Sequence, residues 1–172
     1  RDDPPVNQAS TRPFDASQAR SIARAFLPRH VLGNRYDYYY TLTKLRTDPR
    51  IKNLEKFNAR EINTVELPQR TYGIVVMDLS FISLRLVLPA AWERTGKGGH
   101  LIALIKPQFE ATRAEADKAQ GIIKDPVIHA RVVDGLTASI QSLPGAQVLG
   151  VIPSPIEGRD GNKEFLIAVK RA

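Results

Sequence analysis

Residues Gly73 to Leu88, Gly-Ile-Val-Val-Met-Asp-Leu-Ser-Phe-Ile-Ser-Leu-Arg-Leu-Val-Leu, constrain the fold more than any other part of the chain. The first five are apolar, rich in β-branched side chains and free of alternation. That composition suits a strand covered on both faces, as in a parallel sheet with helices above and below. Asp78 ends the run. From Ser80 or Ser83 the apolar positions Leu84, Leu86, Val87, Leu88 and Ala91 recur at helical spacing, so Asp78 stands where strand gives way to helix. This carboxyl edge is where open α/β sheets bind ligands.

A second stretch repeats the arrangement. Gly98-Gly99-His100 reads as a turn and Leu101 to Ile105 as another buried strand, closed by Lys106 just before Pro107. A third strand, Gln147 to Ile152, leads through Pro153-Ser-Pro-Ile-Glu-Gly-Arg-Asp-Gly-Asn-Lys163 to a fourth, Glu164 to Lys170. The Pro- and Gly-broken link is too short for a crossover helix, so the last two strands are expected to form an antiparallel hairpin. An antiparallel final strand begins where its neighbours end. Asp78, Lys106 and Glu164, 28 and then 58 positions apart, are thereby collected on one rim.

Bulk properties narrow the class. A chain of 172 residues with 42% hydrophobic residues is expected to be a single soluble domain; no apolar run approaches a membrane span or a secretory core, and Arg1 in place of Met hints at a fragment or a processed chain. The absence of Cys excludes disulfides, thiolate metal sites and cysteine nucleophiles, and fits the cytoplasm or an organelle matrix. His30, His100 and His129 have no ligand spacing, so no metal is expected. The net charge of +7 and pI near 9.9 suit a polyanionic partner. Residues 1 to 72 carry 13 Lys and Arg against 8 Asp and Glu, which concentrates the excess in the N-terminal part.

Residues 1 to 16 contain three Pro and read as an irregular arm, followed by a short helix from Ala16 to Phe26 that Pro28 stops. In Asn34-Arg-Tyr-Asp-Tyr-Tyr-Tyr, Tyr38 and Tyr39 could stack on bases, or the cluster could cover a sheet edge or one end of the core. Ile51 to Phe57 is a weak edge strand. Pro89, inside the helical pattern, predicts a kink or stop near Leu88. The polar segment Gln108 to Gly121 reads as a lid over the rim. The helix from Pro126 to Leu143, started by Asp125-Pro126, is expected to bury Val127, Ala130, Val133, Leu136 and Ile140, and to leave His129 and Arg131 solvated.

Five motifs in order carry a resemblance: Asp78-Leu-Ser-Phe-Ile-Ser-Leu, Lys106-Pro-Gln-Phe-Glu110, Asp125-Pro-Val-Ile-His129, Gly150-Val-Ile-Pro-Ser-Pro-Ile156 and Gly161-Asn-Lys-Glu-Phe-Leu166. With Thr47-Asp-Pro-Arg-Ile51 and Asn58-Ala-Arg60, they resemble the TlyA (hemolysin A) branch of the FtsJ-like RNA methyltransferases over about residues 8 to 172. The resemblance implies an α/β, Rossmann-like methyltransferase fold: a mostly parallel sheet with an antiparallel C-terminal strand and helices on both faces. It also implies S-adenosylmethionine as methyl donor and 2′-O-methylation of ribosomal RNA, with RNA or a ribosomal subunit as partner.

Three of the family's four catalytic positions map onto Asp78, Lys106 and Glu164. Ser10, Thr11, Asn58 and Asp78 fall at donor-binding positions; the acidic position expected to bind the donor ribose aligns with Arg35, with Asp37 two residues away as its candidate, and Arg113 and Lys163 join Tyr38 and Tyr39 as candidate RNA contacts. The chemistry suits these residues: a ribose hydroxyl is a poor nucleophile, and a partly buried lysine amine can orient it and take its proton. The departures are specific. The family's first catalytic lysine, first strand and N-terminal S4 module have no counterpart, and its glycine-rich donor loop corresponds to Gln8-Ala-Ser-Thr-Arg-Pro-Phe14, where all three glycines are gone. Pro13 fixes φ and removes a donor where close backbone approach is needed, which predicts weak donor binding.

Overall fold

A computed structural model describes residues 57–172 together with Pro49, Lys52 and Leu54, and every structural statement below concerns these. The arm, the Ala16–Phe26 helix, the tyrosine cluster and most of the weak strand before Phe57 lie outside the described residues. Four strands form one sheet: β1 (Tyr72–Met77), β2 (Thr95–Ile105), β3 (Ala146–Pro153) and β4 (Phe165–Arg171), in the order β1-β2-β4-β3. β1 and β2 are parallel, while β4 runs antiparallel to both β2 and β3. Three strands thus share a direction and the last is reversed, as the short link before it requires.

Helices α1 (Leu88–Arg94) and α4 (Pro126–Gln141) pack on the face lined by Met77, Leu101, Ala103, Ile105, Ile167 and Val169. Burying each of these larger aliphatic side chains contributes about 1.5–3 kcal/mol. The Trp92 indole N–H donates to the Pro144 carbonyl at 3.0 Å and ties α1 to the turn before β3. Alternate residues of the same strands, Ile102, Leu104 and Leu166, form a smaller cluster with Ile152 on the opposite face.

Four local expectations are corrected. Pro89 starts a helix rather than stopping one: it sits in the first turn of α1, where its missing N–H would have had no partner. Residues 98 to 100 lie inside β2, not in a turn, and the extra length is absorbed as a bulge with Gly98 at φ 75°. α4 buries Leu136 and Ile140 as expected, but its first turns face differently. It buries His129, Val132, Leu136 and Ile140, while Val127 is 73% exposed and Ala130 faces outward. His129 is accommodated because its Nε2 bonds to the Ile123 carbonyl at 2.8 Å and its ring packs edge-on against Phe165. Lastly, β1 is covered on one face only among the described residues, with Ile74 and Val76 open on the other.

Candidate functional site

The topology assembles the site. Parallel β1 and β2 end on the same edge, Met77 beside Ala103, so Asp78 and Lys106 leave the sheet close together. Antiparallel β4 begins on that edge with Phe165 opposite Ile105, which sets Glu164 across from Lys106. Lys106 Nζ lies 2.6 Å from Asp78 Oδ1 and donates to Ser80 Oγ at 3.2 Å. The lysine side chain is 13% exposed and the Asp78 side chain 56%, so the pair is shielded from below and open above. Glu164 is buried and accepts from Gln108 Nε2 at 3.2 Å. Burial pushes its carboxyl above the ordinary value of 4.5; the Lys106 charge and the Gln108 hydrogen bond pull it down, and Asp78 pushes it up.

The short helix α2 (Pro107–Glu110) is what holds these parts in register. Lys106 is its N-cap residue. Gln108 reaches Glu164, the Phe109 ring lies 5.1 Å from that of Phe81, and Glu110 turns back to the β1 loop. The Glu110 carboxylate accepts from Ser83 Oγ at 2.7 Å and from the Leu84 N–H at 2.6 Å, fixing the turn that follows Asp78. Burial raises the Glu110 pKa, opposed by Ser83, Leu84 and the charge of Arg85. Because a carboxylate only accepts, the Gln108 amide must present its nitrogen to Glu164, and its carbonyl is left buried without a partner.

The segment expected as a lid folds as α2 and α3 (Arg113–Lys118) and is pinned at both ends. Glu115 closes a capping box with Thr112 and grips Arg131 of α4 at 2.5 Å, so Arg131, although exposed, is paired. At the far end the buried Asn162 accepts from the Ile123 N–H at 3.0 Å and donates to the Gly121 carbonyl at 3.0 Å, binding the segment to the loop that carries Glu164. Gly158 in that loop leaves room for the Glu164 carboxylate, which a Cβ there would displace.

Asp78, Lys106 and Glu164 are therefore brought together. Asn58 caps a 3-10 turn, Ala59–Thr64, its amide bonded to Arg60 and Glu61. Arg113 is 95% exposed and lies 3.7 Å from Asp117, while Lys163 is exposed one residue before Glu164. Ser10, Thr11, Asp37, Tyr38 and Tyr39 lie outside the described residues. Gln108, Glu110 and Asn162 were inside the recognisable motifs, but their long-range partners carry no local signal. The same holds for Phe81, which is 89% exposed with φ at 62°, a conformation unfavourable for a bulky side chain. Its place three residues after Asp78 is where strained residues gather. Among the described residues no His, Cys, Asp and Glu cluster could hold a metal, and no helix is long and apolar enough to cross a membrane.

Among the described residues, cavities open at both edges of the sheet. One, of about 480 Å³, is bounded by Glu164 and α4. The larger, about 870 Å³, opens on the opposite edge near Arg94 and Arg171 and touches none of the three rim residues.

Known proteins share this organisation. Residues 20–171 match the model of the FtsJ-like methyltransferase family. The chain is 36% identical over 138 residues to the 16S/23S rRNA (cytidine-2′-O)-methyltransferase TlyA of Mycobacterium tuberculosis, covering 80% of this chain and 50% of that protein. It is 35% identical over 123 residues to hemolysin A of Brachyspira hyodysenteriae, covering 72% and 50% respectively. It thus spans about half the length of these curated relatives. A solved structure of a Lactococcus lactis protein that carries the hemolysin name superimposes with a TM-score of 0.67 at 39% identity, over 75% of this chain and 61% of that one. With the family match covering nearly the whole chain, the chain belongs to the FtsJ-like methyltransferase family.

Proposed function

We propose that the chain is the catalytic unit of a 2′-O-methyltransferase that acts on ribosomal RNA. The observation that carries this reading is the Lys106 ammonium group on the rim, paired with Asp78 at 2.6 Å and facing the buried Glu164. In its amine form Lys106 orients the ribose 2′-hydroxyl and takes its proton. Asp78 and Glu164 then stabilise the ammonium that results. Bound S-adenosylmethionine would supply an electrophilic methyl on a sulfonium. Of the residues expected to hold it, Asp78 fits best: its carboxylate is half-open, accepts only, and suits the cationic groups of the donor. Ser10, Thr11, Asp37 and Asn58 join that set by resemblance. The exposure of Arg113 and Lys163 supports a role in meeting phosphates, and the exposed Phe81 ring supports one in stacking on a base. A cytoplasmic or organelle-matrix location follows from the ribosomal substrate.

A second reading is favoured by one specific observation, the loss of all three glycines between Gln8 and Phe14. On it the chain is a ribosome-associated RNA-binding protein of the same fold that transfers methyl groups weakly or not at all. Transfer of labelled methyl from S-adenosylmethionine to ribosomal RNA separates the two. Transfer that falls about 10²- to 10⁴-fold in Lys106→Ala supports the enzyme. Salt-sensitive RNA binding without transfer in the wild type supports the second reading.

A further inference from the structure

The cavity of about 480 Å³ beside Glu164 has the size of a ligand site, and the rim chemistry uses only its edge. Pro126, Ala130 and Val133 of α4 form one wall; Pro153, Ile156 and Phe165 form the other. Ile156 is 41% exposed, so apolar surface is left bare at the mouth. Polar groups are few: Ser154 and the buried Glu164 line the cavity beside the apolar walls. Glu157 and Lys163 stand at the opening, both exposed, while His129 in the floor is already committed to the Ile123 carbonyl. Two apolar walls with charge at the rim match a flat heteroaromatic ring: its faces are desolvated, its edge amines meet a carboxylate, and a phosphate beside it meets an ammonium.

We propose that this cavity is a nucleobase subsite for the RNA, taking the base of a nucleotide adjoining the one whose ribose faces Lys106. The assignment rests on the reading of the rim as a ribose methylation site. The cavity shares Glu164 with that rim, so it adjoins the place of the reacting ribose. Phe81 lies at the far end of the same rim, beyond Asp78 and against Phe109, and would support a base on the opposite side of the reacting ribose. The donor's adenine is the other nucleobase in the reaction. The RNA is favoured here because Lys163 provides a phosphate partner at the mouth, and S-adenosylmethionine carries no phosphate.

Ala130 makes a clean test, since it lines the cavity yet faces outward on α4 and is not part of the catalytic rim. Ala130→Trp should fill the cavity. It is expected to raise KM for bacterial ribosomal RNA about ten-fold or more, the scale of one stacked base, and to leave KM for S-adenosylmethionine within about two-fold. In parallel, the four ribonucleoside 5′-monophosphates, titrated separately, should shift the methyl resonances of Ala130, Val133 and Ile156, whereas ribose 5-phosphate should not; Ala130→Trp should abolish the response. The proposal is overturned if Ala130→Trp raises the donor KM instead and S-adenosylhomocysteine alone moves these methyls, or if no nucleotide moves them. Nucleotide shifts in a wild type that transfers no methyl would support the subsite and sink the transferase reading separately.

Discussion

The two edges of the sheet both gather charged side chains, and they treat them differently. On the edge away from the rim, Arg94 donates to Asn63 Oδ1 and to the carbonyls of Arg70, Ile62 and Val65. Arg171 donates to the carbonyls of Trp92 and Thr95, each at 2.6 Å, and its guanidinium lies 5.5 Å from the Trp92 ring. These cations replace missing main-chain partners where elements end, and they are used up. On the rim, Lys106 is shared between Asp78 and Ser80, Glu164 is held above its ordinary pKa, Gln108 keeps a buried unpartnered carbonyl, and Phe81 sits at positive φ. The larger cavity and two arginines lie on the first edge, but the unspent interactions lie on the second. Incomplete satisfaction, more than charge or cavity size, marks where a ligand is expected.

Glu164→Gln should break this comparison most sharply, because activity and stability should move in opposite directions. Removing the charge that faces Lys106 is expected to lower methyl transfer about 10²- to 10⁴-fold. The stability effect follows from the raised folded-state pKa: the neutral form is favoured, so the contribution of this carboxyl is present below 4.5 and is lost as pH rises through the folded value. A glutamine is neutral throughout. The variant should therefore melt higher than the wild type at pH 7, with the difference closing below pH 4.5. A variant that melts lower at pH 7 would mean that the Lys106 pairing outweighs burial.

Arg171→Ala is the converse. Two carbonyls lose a charged donor and the Trp92 face loses its cation, a cost of about 2–4 kcal/mol. For a chain of this size that lowers Tm by about 5–15 °C. Methyl transfer at 25 °C should stay within about two-fold of the wild type. A large loss of kcat with unchanged Tm would show that the two edges are coupled.

The rim was legible in the sequence because strand ends are legible. Apolar runs closed by Asp78 and Lys106, and a link too short to cross over before Glu164, placed three residues on one edge without any side-chain information. The motifs then gave those residues roles. What escaped depended on partners distant in the chain. His129 is tolerated in the core by the Ile123 carbonyl, which periodicity along α4 cannot register. Pro89 was ambiguous because the same missing N–H that breaks a helix interior suits its first turn. Gln108, Glu110 and Asn162 act across 56, 27 and 39 positions of sequence.

Gln108→Met is expected to have the smallest effect, and it tests whether the unsatisfied amide serves the rim or merely fills it. Methionine keeps the approximate shape while removing both the bond to Glu164 and the buried carbonyl without a partner. Losing one hydrogen bond is offset by losing one desolvated acceptor, so Tm should change little. The rate should not be spared. Gln108 pulls the Glu164 pKa downward, so without it that pKa rises further and the carboxylate fraction at a given pH falls. The acid limb of the pH–rate profile should shift to higher pH, with kcat at its plateau reduced about ten-fold, the equivalent of about 1.4 kcal/mol in positioning. Gln108→Glu should move the limb the same way, since a second carboxylate beside Glu164 also disfavours its ionisation. If both variants lower the plateau without moving the limb, Gln108 fills space beside Glu164 and does not tune it.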